Sequence, residues 1–256
     1  MKDVTVTLPD CPVPTLTFRL DPESVVQSAM LEDLRGAGYE PATWNTIRET
    51  LRPGDRAVDV GAHVGVLTCL MAASVGPTGY VDAFEPDPVN RARLAYHVIE
   101  NGLASWVTIH PNAVGESMRT VTFYRCAYND GGHARWNPAQ LPANVESQRC
   151  PSASAVQMVS LDDAVSGPVR LIKSDTEGGE LGVFRGAKRL LAAHPVIIAE
   201  IHRFGLQQLG GSEGELRAFL RDYGYVEAVL DTDGRVIPVT PADTVMGPNV
   251  FNLRFT

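Results

Sequence analysis

The sequence predicts an α/β fold in which a mainly parallel sheet carries helices on both faces. From Ala57 onward, short apolar strands alternate with helical segments, and alternating units of this kind form parallel sheets. Pro195–His202 is nearly all apolar, which is typical of an internal strand of such a sheet. Tyr225–Leu230 and Asn249–Phe255 close the chain without a helix between them, and this predicts an antiparallel pair at the edge of the sheet.

The segment before this unit predicts two strands and two helices. Val4–Leu8 and Leu16–Leu20 alternate apolar and polar residues around several prolines, which indicates a short hairpin or strand pair. Apolar residues at helical spacing predict a helix over Ser24–Leu34. Pro41 then opens a second predicted helix, Ala42–Leu51, because proline fits the first turn of a helix.

The stretch Asp55–Thr68 combines a buried strand, a glycine loop and the start of a helix. Ala57–Val60 has the character of a strand, Gly61 and Gly65 follow it, and an unbroken apolar run then predicts a helix. Such a turn is suited to a ligand, because the helix presents unpaired N–H groups and glycine lets the ligand approach the backbone.

The spacing of the glycines separates two classes of nucleotide ligand. The pattern Asp59-x-Gly61-x-x-x-Gly65 lacks the middle glycine of the dinucleotide fingerprint and carries an acid at the entrance of the loop. An acid beside a pyrophosphate is unfavourable because both groups are anionic, whereas it suits the sulfonium and ammonium groups of S-adenosylmethionine. The pattern therefore favours S-adenosylmethionine, and a nicotinamide-dependent oxidoreductase is the alternative.

The next predicted strand ends at Glu85, which lies 24 positions after Gly61. In folds of this type an acid about 20 residues after the glycines accepts hydrogen bonds from ribose hydroxyls. A further strand over Val107–His110 leads to Asn112, which we expect near an adenine edge. The candidate cofactor-binding residues are Asp59, Gly61, Ala62, His63, Gly65, Thr68, Glu85, Pro86, Asn112 and Ala113.

Candidate catalytic residues follow two strands of the second half. Val169–Ser174 predicts a fourth core strand that ends at Asp175, and a helix over Leu181–Leu191 follows. Glu200 and His202 are two positions apart on the fifth strand, so their side chains share a face and reach the same edge of the sheet as Asp175. We expect His202 to act as the general base, because its reference pKa lies near working pH, with Asp175 or Glu200 orienting it. The alternative is that His202 only hydrogen-bonds a neighbouring loop.

Two further interpretations of this region stay open. Asp175, Glu177, Glu200 and His202 could gather a divalent cation such as Mg²⁺, which is possible but not favoured over a metal-free site. Ser174-x-x-Glu177 matches a capping box, which would give Glu177 a structural role at the start of a helix.

An irregular segment, Ala127–Ser154, is rich in Asn, Gly, Pro and Gln. A long insertion of this kind in a compact domain predicts a lid or binding loop over the substrate, with disorder as the alternative. Tyr39 and Glu40 are also placed where the chain could fold over the nucleotide pocket. The candidate substrate contacts are Tyr39, His133, Arg135, Trp136 and Glu177.

The whole chain limits the class of protein. Its 256 residues fit a single domain, divided into N-terminal elements (1–52), a cofactor-binding half (53–125), the insertion (126–155) and a substrate-side half (156–256). The net charge of −8 without a basic cluster argues against nucleic-acid and anionic-membrane partners and leaves a small-molecule acceptor. The first residues have no signal-peptide pattern, no apolar run could span a bilayer, and the four cysteines are scattered. We therefore expect a cytoplasmic protein with reduced thiols.

Several of these segments together carry a family resemblance. They are Tyr39-Glu40-Pro41, Val58–Gly65, Phe84-Glu85-Pro86, Ser160–Asp163, Ile172–Glu180, Val183–Ala187, Ile197–His202 and Asn249-Val250-Phe251. The chain resembles the FkbM family of S-adenosylmethionine-dependent methyltransferases, and the Asp-x-Glu-Gly-x-Glu block from Asp175 to Glu180 is the most family-specific part. His63 stands where the family often has asparagine.

The resemblance implies a Rossmann-like class I methyltransferase fold with a seven-stranded, mostly parallel sheet and an antiparallel edge strand. It also implies O-methyl transfer to a hydroxyl of a sugar or of a polyketide-type natural product. Carried over by position, Asp59, Gly61, Gly65 and Glu85 would hold the cofactor. A cofactor-binding domain without catalysis remains a third functional class.

Overall fold

The structure is a computed structural model that describes residues 1–36, 38–126, 130–137, 152–231, 235–239 and 250–256. The strands in these ranges are β1 (Lys2–Thr7), β2 (Thr15–Leu20), β3 (Arg56–Val60), β4 (Tyr80–Phe84), β5 (Val107–His110), β6 (Ala113–Val114), β7 (Arg119–Arg125), β8 (Ser152–Val159), β9 (Leu171–Ser174), β10 (Val196–His202), β11 (Glu227–Leu230), β12 (Val236–Pro238) and β13 (Val250–Phe255). The helices are α1 (Val25–Asp33), α2 (Pro41–Thr50), α3 (Val66–Val75), α4 (Pro88–Glu100), α5 (Leu161–Ala164), α6 (Glu180–Arg185), α7 (Lys188–Leu191), α8 (Arg203–Gln208) and α9 (Glu213–Asp222).

The central sheet has the strand order β12-β11-β13-β10-β9-β3-β4-β5 within the described residues. Strands β10, β9, β3, β4 and β5 pair in parallel, so their carboxyl ends meet at one edge. The predicted α/β fold with a parallel core is therefore confirmed. The predicted antiparallel pairing of the two closing strands is also confirmed, because β13 pairs antiparallel with β11.

Two details of the predicted sheet are wrong. The sheet has an eighth strand, because β12 pairs antiparallel with β11. This strand has three exposed residues, so no apolar alternation marks it in the sequence. In addition, β13 does not lie at the edge, since it pairs with β10 on one side and β11 on the other. The predicted turn at Asp233-Gly234 lies outside the described residues.

Two smaller sheets flank the central one. Strands β1 and β2 pair antiparallel, with Lys2 opposite Leu20 at one end and Thr7 opposite Thr15 at the other. This confirms the predicted N-terminal strand pair. Strands β6, β8 and β7 form a three-stranded sheet at the base of the insertion. Tyr124 and Ala134 form an isolated antiparallel bridge, which ties residues 130–137 of the insertion to β7.

Helices pack against both faces of the central sheet. Successive strand residues belong to opposite cores: Ala57 packs in the cluster that holds Leu70, and Val58 packs in the cluster that holds Phe184. Helix α3 is buried along its whole length, which explains why its sequence has no polar face. The carboxyl edge of the sheet lies between these two layers, where the loops after β3, β4, β9 and β10 come together.

No helix among the described residues has both the length and the apolar composition needed to cross a bilayer. Cys11, Cys69 and Cys126 are free thiols. Cys150 lies outside the described residues.

Candidate active site

A cavity opens at the carboxyl edge of the central sheet, and most of the predicted site residues line it. The predicted residues on its wall are Tyr39, Gly61, Ala62, His63, Glu85, Pro86, Asn112, Ala113, His133, Arg135, Asp175, Glu177 and Glu200. The predicted residues that do not line it are Asp59, Gly65, Thr68, Trp136 and His202. The structure therefore brings the two predicted groups, from the glycine loop and from the second half of the chain, to one cavity.

The glycine loop crosses the end of the sheet very closely. The backbone N–H groups of Gly61 and Ala62 both donate to the carbonyl oxygen of Phe84, at 3.0 and 3.1 Å. Gly61 has φ +78°, and a Cβ at this position would lie 1.7 Å from the carbonyl oxygen of Asp175. Only glycine fits here, because the conformation is left-handed and the neighbouring backbone fills the space of a side chain. This crossing holds the end of β3 against the loop after β9.

Asp59 and Thr68 stabilise the glycine loop from behind and not from the cavity wall. The Asp59 side chain is fully buried, and Thr68 Oγ1 donates to its Oδ2 at 2.6 Å. Lys173 Nζ lies 3.6 Å from Asp59 Oδ1 and donates to the carbonyl oxygen of Gly61 at 3.0 Å. Gly65 has a packing role, because a Cβ there would lie 2.3 Å from the Leu94 side chain.

Glu85 directly follows β4, and its carboxylate forms hydrogen bonds that fix the adjoining wall of the cavity. Its Oε2 accepts the N–H of His63 at 2.8 Å, and its Oε1 accepts the N–H of Asp87 at 2.7 Å. Burial raises the pKa of Glu85 to about 8, against the opposite effect of these two hydrogen bonds. Asp87 caps α4 by accepting the N–H groups of Val89 and Asn90, which fixes the loop that holds Glu85.

Lys173 joins the glycine loop to the acidic side of the cavity. It is nearly buried, and its Nζ lies 3.4 Å from Asp175 Oδ2. Burial by itself lowers the pKa of Lys173, but Asp175 and Asp59 outweigh burial and raise the pKa above its usual range. Burial likewise acts to raise the pKa of Asp175, yet Lys173 and His202 hold it below its usual value. Lys173 and Asp175 are therefore an ion pair at neutral pH.

His202 lies among carboxylates just behind the cavity wall. Its Nδ1 is 3.2 Å from Glu180 Oε1, and its Nε2 is 3.4 Å from Glu177 Oε1 and 4.0 Å from Asp175 Oδ1. Burial disfavours its charged form, but Glu177 and Glu180 together raise the pKa of His202 well above its usual value. This arrangement of carboxylates favours the protonated form of His202. His202 therefore contacts carboxylates of the neighbouring β9–α6 loop. Such a contact is what the alternative to the general-base prediction expected.

The loop between β9 and α6 is held in place by Glu180. The Oε1 atom of Glu180 accepts the N–H of Gly178 at 2.9 Å and that of Thr176 at 3.2 Å. Helix α6 begins at Glu180 with Gly179 as its N-cap, so the predicted capping box at Ser174 and Glu177 is wrong. Glu177 instead has a left-handed backbone, φ +53°, and turns its carboxylate toward His202.

Glu200 and Glu40 add two more carboxyl groups to this wall. Burial raises the pKa of Glu200 well above its usual value, and the charge on Asp175 raises it further. Burial also raises the pKa of Glu40. Glu40, Glu200, Asp175 and Glu177 therefore line the same cavity, and Lys173 on β9 is the basic side chain of that strand on its wall.

Part of the insertion contacts the cavity. Asp130 accepts a hydrogen bond from Ser24 Oγ at 2.8 Å and another from Gln27, and its Oδ1 lies 3.7 Å from His63 Nε2. Burial acts to raise the pKa of Asp130, but the contact with His63 and the two hydrogen bonds lower it. The turn at residues 130–137 thus bridges α1 and the glycine loop. The rest of the predicted lid, residues 127–129 and 138–151, lies outside the described residues.

The three candidate substrate contacts of the insertion have different positions. His133 lines the cavity, and its Nδ1 accepts the N–H of Cys126 at 3.0 Å. Trp136 Nε1 donates to the carbonyl oxygen of Glu177 at 2.6 Å, so it supports the β9–α6 loop from outside the cavity. Arg135 lines the cavity, donates to Met158 Sδ at 3.4 Å, and has no carboxylate in ion-pair distance among the described residues.

Three side chains of this site were given no role from the sequence. They are Lys173, Glu180 and Asp130. Lys173 had a usable signal, because it is a single charge inside the apolar run of β9, where an unpaired lysine would be costly. Asp130 binds side chains distant in sequence, and Glu180 joins the nearby N–H groups of Thr176 and Gly178 to the distant His202.

Comparison with known proteins identifies the family. The model of the family described as methyltransferase FkbM domain matches residues 59–227. The chain is 28% identical over 189 residues to the hexuronic acid methyltransferase AglP of Haloferax volcanii, a match that covers 72% of this chain and 70% of AglP. It is 29% identical over 206 residues to the 31-O-demethyl-FK506 methyltransferase FkbM of Streptomyces tacrolimicus, covering 68% of this chain and 74% of that protein.

A solved structure supports the same fold. Methyltransferase FkbM from Methylobacillus flagellatus superposes with a TM-score of 0.50 at 18% identity. The match covers 93% of this chain but only 56% of that protein, so this chain spans little more than half of its length. The match of the family model over most of the chain shows that the protein belongs to the FkbM family of S-adenosylmethionine-dependent methyltransferases.

Proposed function

We propose that this protein transfers a methyl group from S-adenosylmethionine to a hydroxyl of a small molecule, namely a sugar or a natural-product intermediate. One observation carries the proposal: a single cavity is lined by Glu85 next to the glycine loop and by Asp175 and Glu200 across from it. This gives a cofactor side and an acid–base side within one enclosure. Transfer to a hydroxyl uses both sides, because holding two reactants together is worth up to about 7–11 kcal/mol and a base can take the hydroxyl proton.

The residues present fit S-adenosylmethionine better than a dinucleotide. The Glu85 carboxylate lines the cavity and can accept from two ribose hydroxyls, because each of its oxygens has a lone pair beyond its backbone hydrogen bond. Asn112 and Ala113 line the adjoining wall. The ionised carboxylate of Asp175 on the cavity wall suits a sulfonium and repels a pyrophosphate. The fully buried Asp59 would act through Lys173 and the loop and not by touching the cofactor.

One wall of the cavity, here called the acidic wall, consists of Glu40, Asp175, Glu177 and Glu200. Its side chains would take up the proton that the acceptor hydroxyl loses. When bound, S-adenosylmethionine supplies an electrophilic methyl carbon; the acceptor oxygen bonds to it as the C–S bond breaks, and the hydroxyl proton leaves. Asp175 is ionised and lines the cavity, so we assign it as the acceptor of that proton. The carboxylates around His202 favour its protonated form, so we propose that it orients Asp175 and Glu177 and does not act as the general base.

A test follows transfer directly. The purified protein is incubated with S-adenosylmethionine that carries a deuterated methyl group and with a panel of uronic acids, neutral sugars and hydroxylated polyketides. We expect one acceptor class to gain the labelled methyl, and Glu85→Gln to lose most of this activity at low cofactor concentration. Glu100→Gln, an exposed acid on α4, is the matched control and should retain it. Tight cofactor binding without transfer to any hydroxyl would instead favour the non-catalytic class.

An acidic sugar is the acceptor that one observation favours. Arg135 is a partly buried guanidinium on the cavity wall with no carboxylate in ion-pair distance among the described residues, and burial lowers its pKa. A carboxylate on the acceptor would give it a bidentate partner. The similarity to a hexuronic acid methyltransferase agrees with this choice.

Arg135→Gln tests the acceptor class. A charge-assisted contact is worth about 1.5–3 kcal/mol, so KM for a uronic acid should rise about 10- to 150-fold while KM for a neutral sugar stays nearly constant. The exposed Arg170→Gln is the control. An equal effect on both acceptors would remove Arg135 from carboxylate recognition.

A further inference from the structure

The acidic wall brings together three side chains of the kinds that bind metal ions. Asp175, Glu200 and His202 each offer one ligand atom, and these atoms all lie within 4.8 Å of one another. Their positions follow from the sheet, since Ser174 pairs with Ala199 in the parallel register of β9 and β10. Asp175 and Glu200, one residue further along each strand, therefore lie at the same level.

The orientation of His202 is the second relevant observation. Its Nδ1 faces Glu180 Oε1 at 3.2 Å, and its Nε2 faces the carboxylates of Glu177 and Asp175. A histidine that binds a metal generally donates its other ring N–H to a carboxylate, which fixes the ring and leaves one lone pair for the ion. Glu180 is fully buried and is itself fixed by the N–H groups of Thr176 and Gly178. The ring is thus held with Nε2 toward the cavity wall, where a bound ion would take the place of the proton that the surrounding carboxylates otherwise favour.

The oxygen atoms of this wall also suit a cation. Asp175, Glu177 and Glu200 face the cavity, and Lys173 pairs with Asp175 through one oxygen and with Asp59 behind the wall. A bound ion would favour the ionised form of Glu200, which burial disfavours. Carboxylate oxygens with one imidazole are ligands that suit a hard divalent ion such as Mg²⁺ or Mn²⁺. Around an ion at about 2.1 Å, adjacent ligand atoms lie about 3 Å apart, so the three side chains would have to close by at most about 2 Å. Rotation of the side chains can supply this movement.

We propose that Asp175, Glu200 and His202 bind a divalent cation, Mg²⁺ or Mn²⁺, with Glu177 available as a fourth ligand. Three protein ligands on an octahedral ion leave positions open toward the cavity. An acceptor hydroxyl on such a position would be held in place and would lose its proton more easily, to the Asp175 oxygen that does not bind the ion. This use of the ion rests on the proposed methyl transfer, whereas binding of the ion does not.

The test measures binding of the ion without any reaction. Mn²⁺ is titrated into the full-length protein without cofactor or acceptor and followed by electron paramagnetic resonance, with S-adenosylhomocysteine titrated separately by calorimetry. We expect a single Mn²⁺ site that Mg²⁺ displaces. Glu200→Gln should weaken Mn²⁺ at least about tenfold and weaken S-adenosylhomocysteine, which carries no sulfonium, by a much smaller factor. Glu85→Gln is the reciprocal control and should weaken S-adenosylhomocysteine while retaining Mn²⁺.

A thermal melt of each variant checks folding, and His202→Gln replaces Glu200→Gln if the latter is unfolded. Retention of full Mn²⁺ affinity in the folded Glu200 or His202 variant would overturn the proposed site. Binding of S-adenosylhomocysteine without any Mn²⁺ binding would also overturn it, and would leave the proposed methyl transfer intact. Mn²⁺ binding that responds to Glu200→Gln in a protein that does not bind S-adenosylhomocysteine would support the site and count against the proposed function.

Discussion

Gly61→Ala should be one of the most damaging single substitutions in the chain. Alanine at φ +78° costs about 1–2 kcal/mol in backbone strain. Its Cβ would lie 1.7 Å from the Asp175 carbonyl oxygen and must move beyond 3.0 Å, which displaces the glycine loop from the end of β9. Overpacking of this kind adds about 1–3 kcal/mol. The free energy of unfolding should therefore fall by about 2–5 kcal/mol.

Gly102→Ala separates the two contributions. Gly102 follows α4 with φ +69°, and a Cβ there would meet no heavy atom within 4 Å, so only the backbone strain of about 1–2 kcal/mol applies. Urea unfolding followed by tryptophan fluorescence gives both free energies, and calorimetry gives the affinity for S-adenosylhomocysteine. We expect Gly61→Ala to lose more stability than Gly102→Ala. Of the two variants, only Gly61→Ala should lose affinity for S-adenosylhomocysteine. Equal losses in both variants would refute the close crossing of the loop and β9.

Two further predictions concern buried charges. Lys173→Met should lower the free energy of unfolding by about 3–5 kcal/mol, because it leaves Asp59 and Asp175 without this buried cation. Urea unfolding measures the loss, and the exposed Lys188→Met is the control. A loss below about 1 kcal/mol would contradict the buried ion pair. Glu85, with a pKa of about 8, is mostly protonated at pH 7, so S-adenosylhomocysteine binding should release about one proton if the ribose requires the carboxylate. Calorimetry in buffers of different ionisation enthalpy measures this release, which should vanish in Glu85→Gln; identical enthalpies in all buffers for the wild-type protein would refute it.

The same pKa of Glu85 fixes the sign of a pH effect on stability. The unfolded side chain titrates near 4.5 and the folded one near 8, so between these values the native state binds more protons. The free energy of unfolding should therefore fall as pH rises through this range, by at most about 5 kcal/mol, and Glu85→Gln should flatten the profile. Thermal melts from pH 5 to 9 measure this profile. If the stability of the wild-type protein rose with pH over this range, it would contradict the raised pKa of Glu85.

The parts of the fold that depend on local sequence were predictable. Strand β5 was predicted with its observed bounds, and Glu85 was predicted at the end of β4. Both follow from short apolar runs bounded by proline and glycine, which act within a few residues. Strand β12 was not predictable in this way, because it is short, exposed and stabilised by pairing with β11.

The chemistry of the acidic wall was less accessible from the sequence. The protonation of His202 depends on Glu180, 22 positions away, and on a left-handed turn at Glu177 that no local pattern marks. The capping-box interpretation of Glu177 was wrong for the same reason. Asp130 reaches Ser24 over 106 positions, a contact set by packing of the insertion and not by any periodicity.

Calorimetric titration with S-adenosylhomocysteine, with NAD as the parallel ligand, tests the central claim most directly. We predict micromolar binding of S-adenosylhomocysteine that Glu85→Ala abolishes and that Glu100→Gln retains, with no binding of NAD. Such a result would place the cofactor beside the carboxylate of Glu85, which directly follows β4. Binding of NAD alone, or binding of S-adenosylhomocysteine that Glu85→Ala leaves intact, would contradict the assignment of this cavity as the site of methyl transfer.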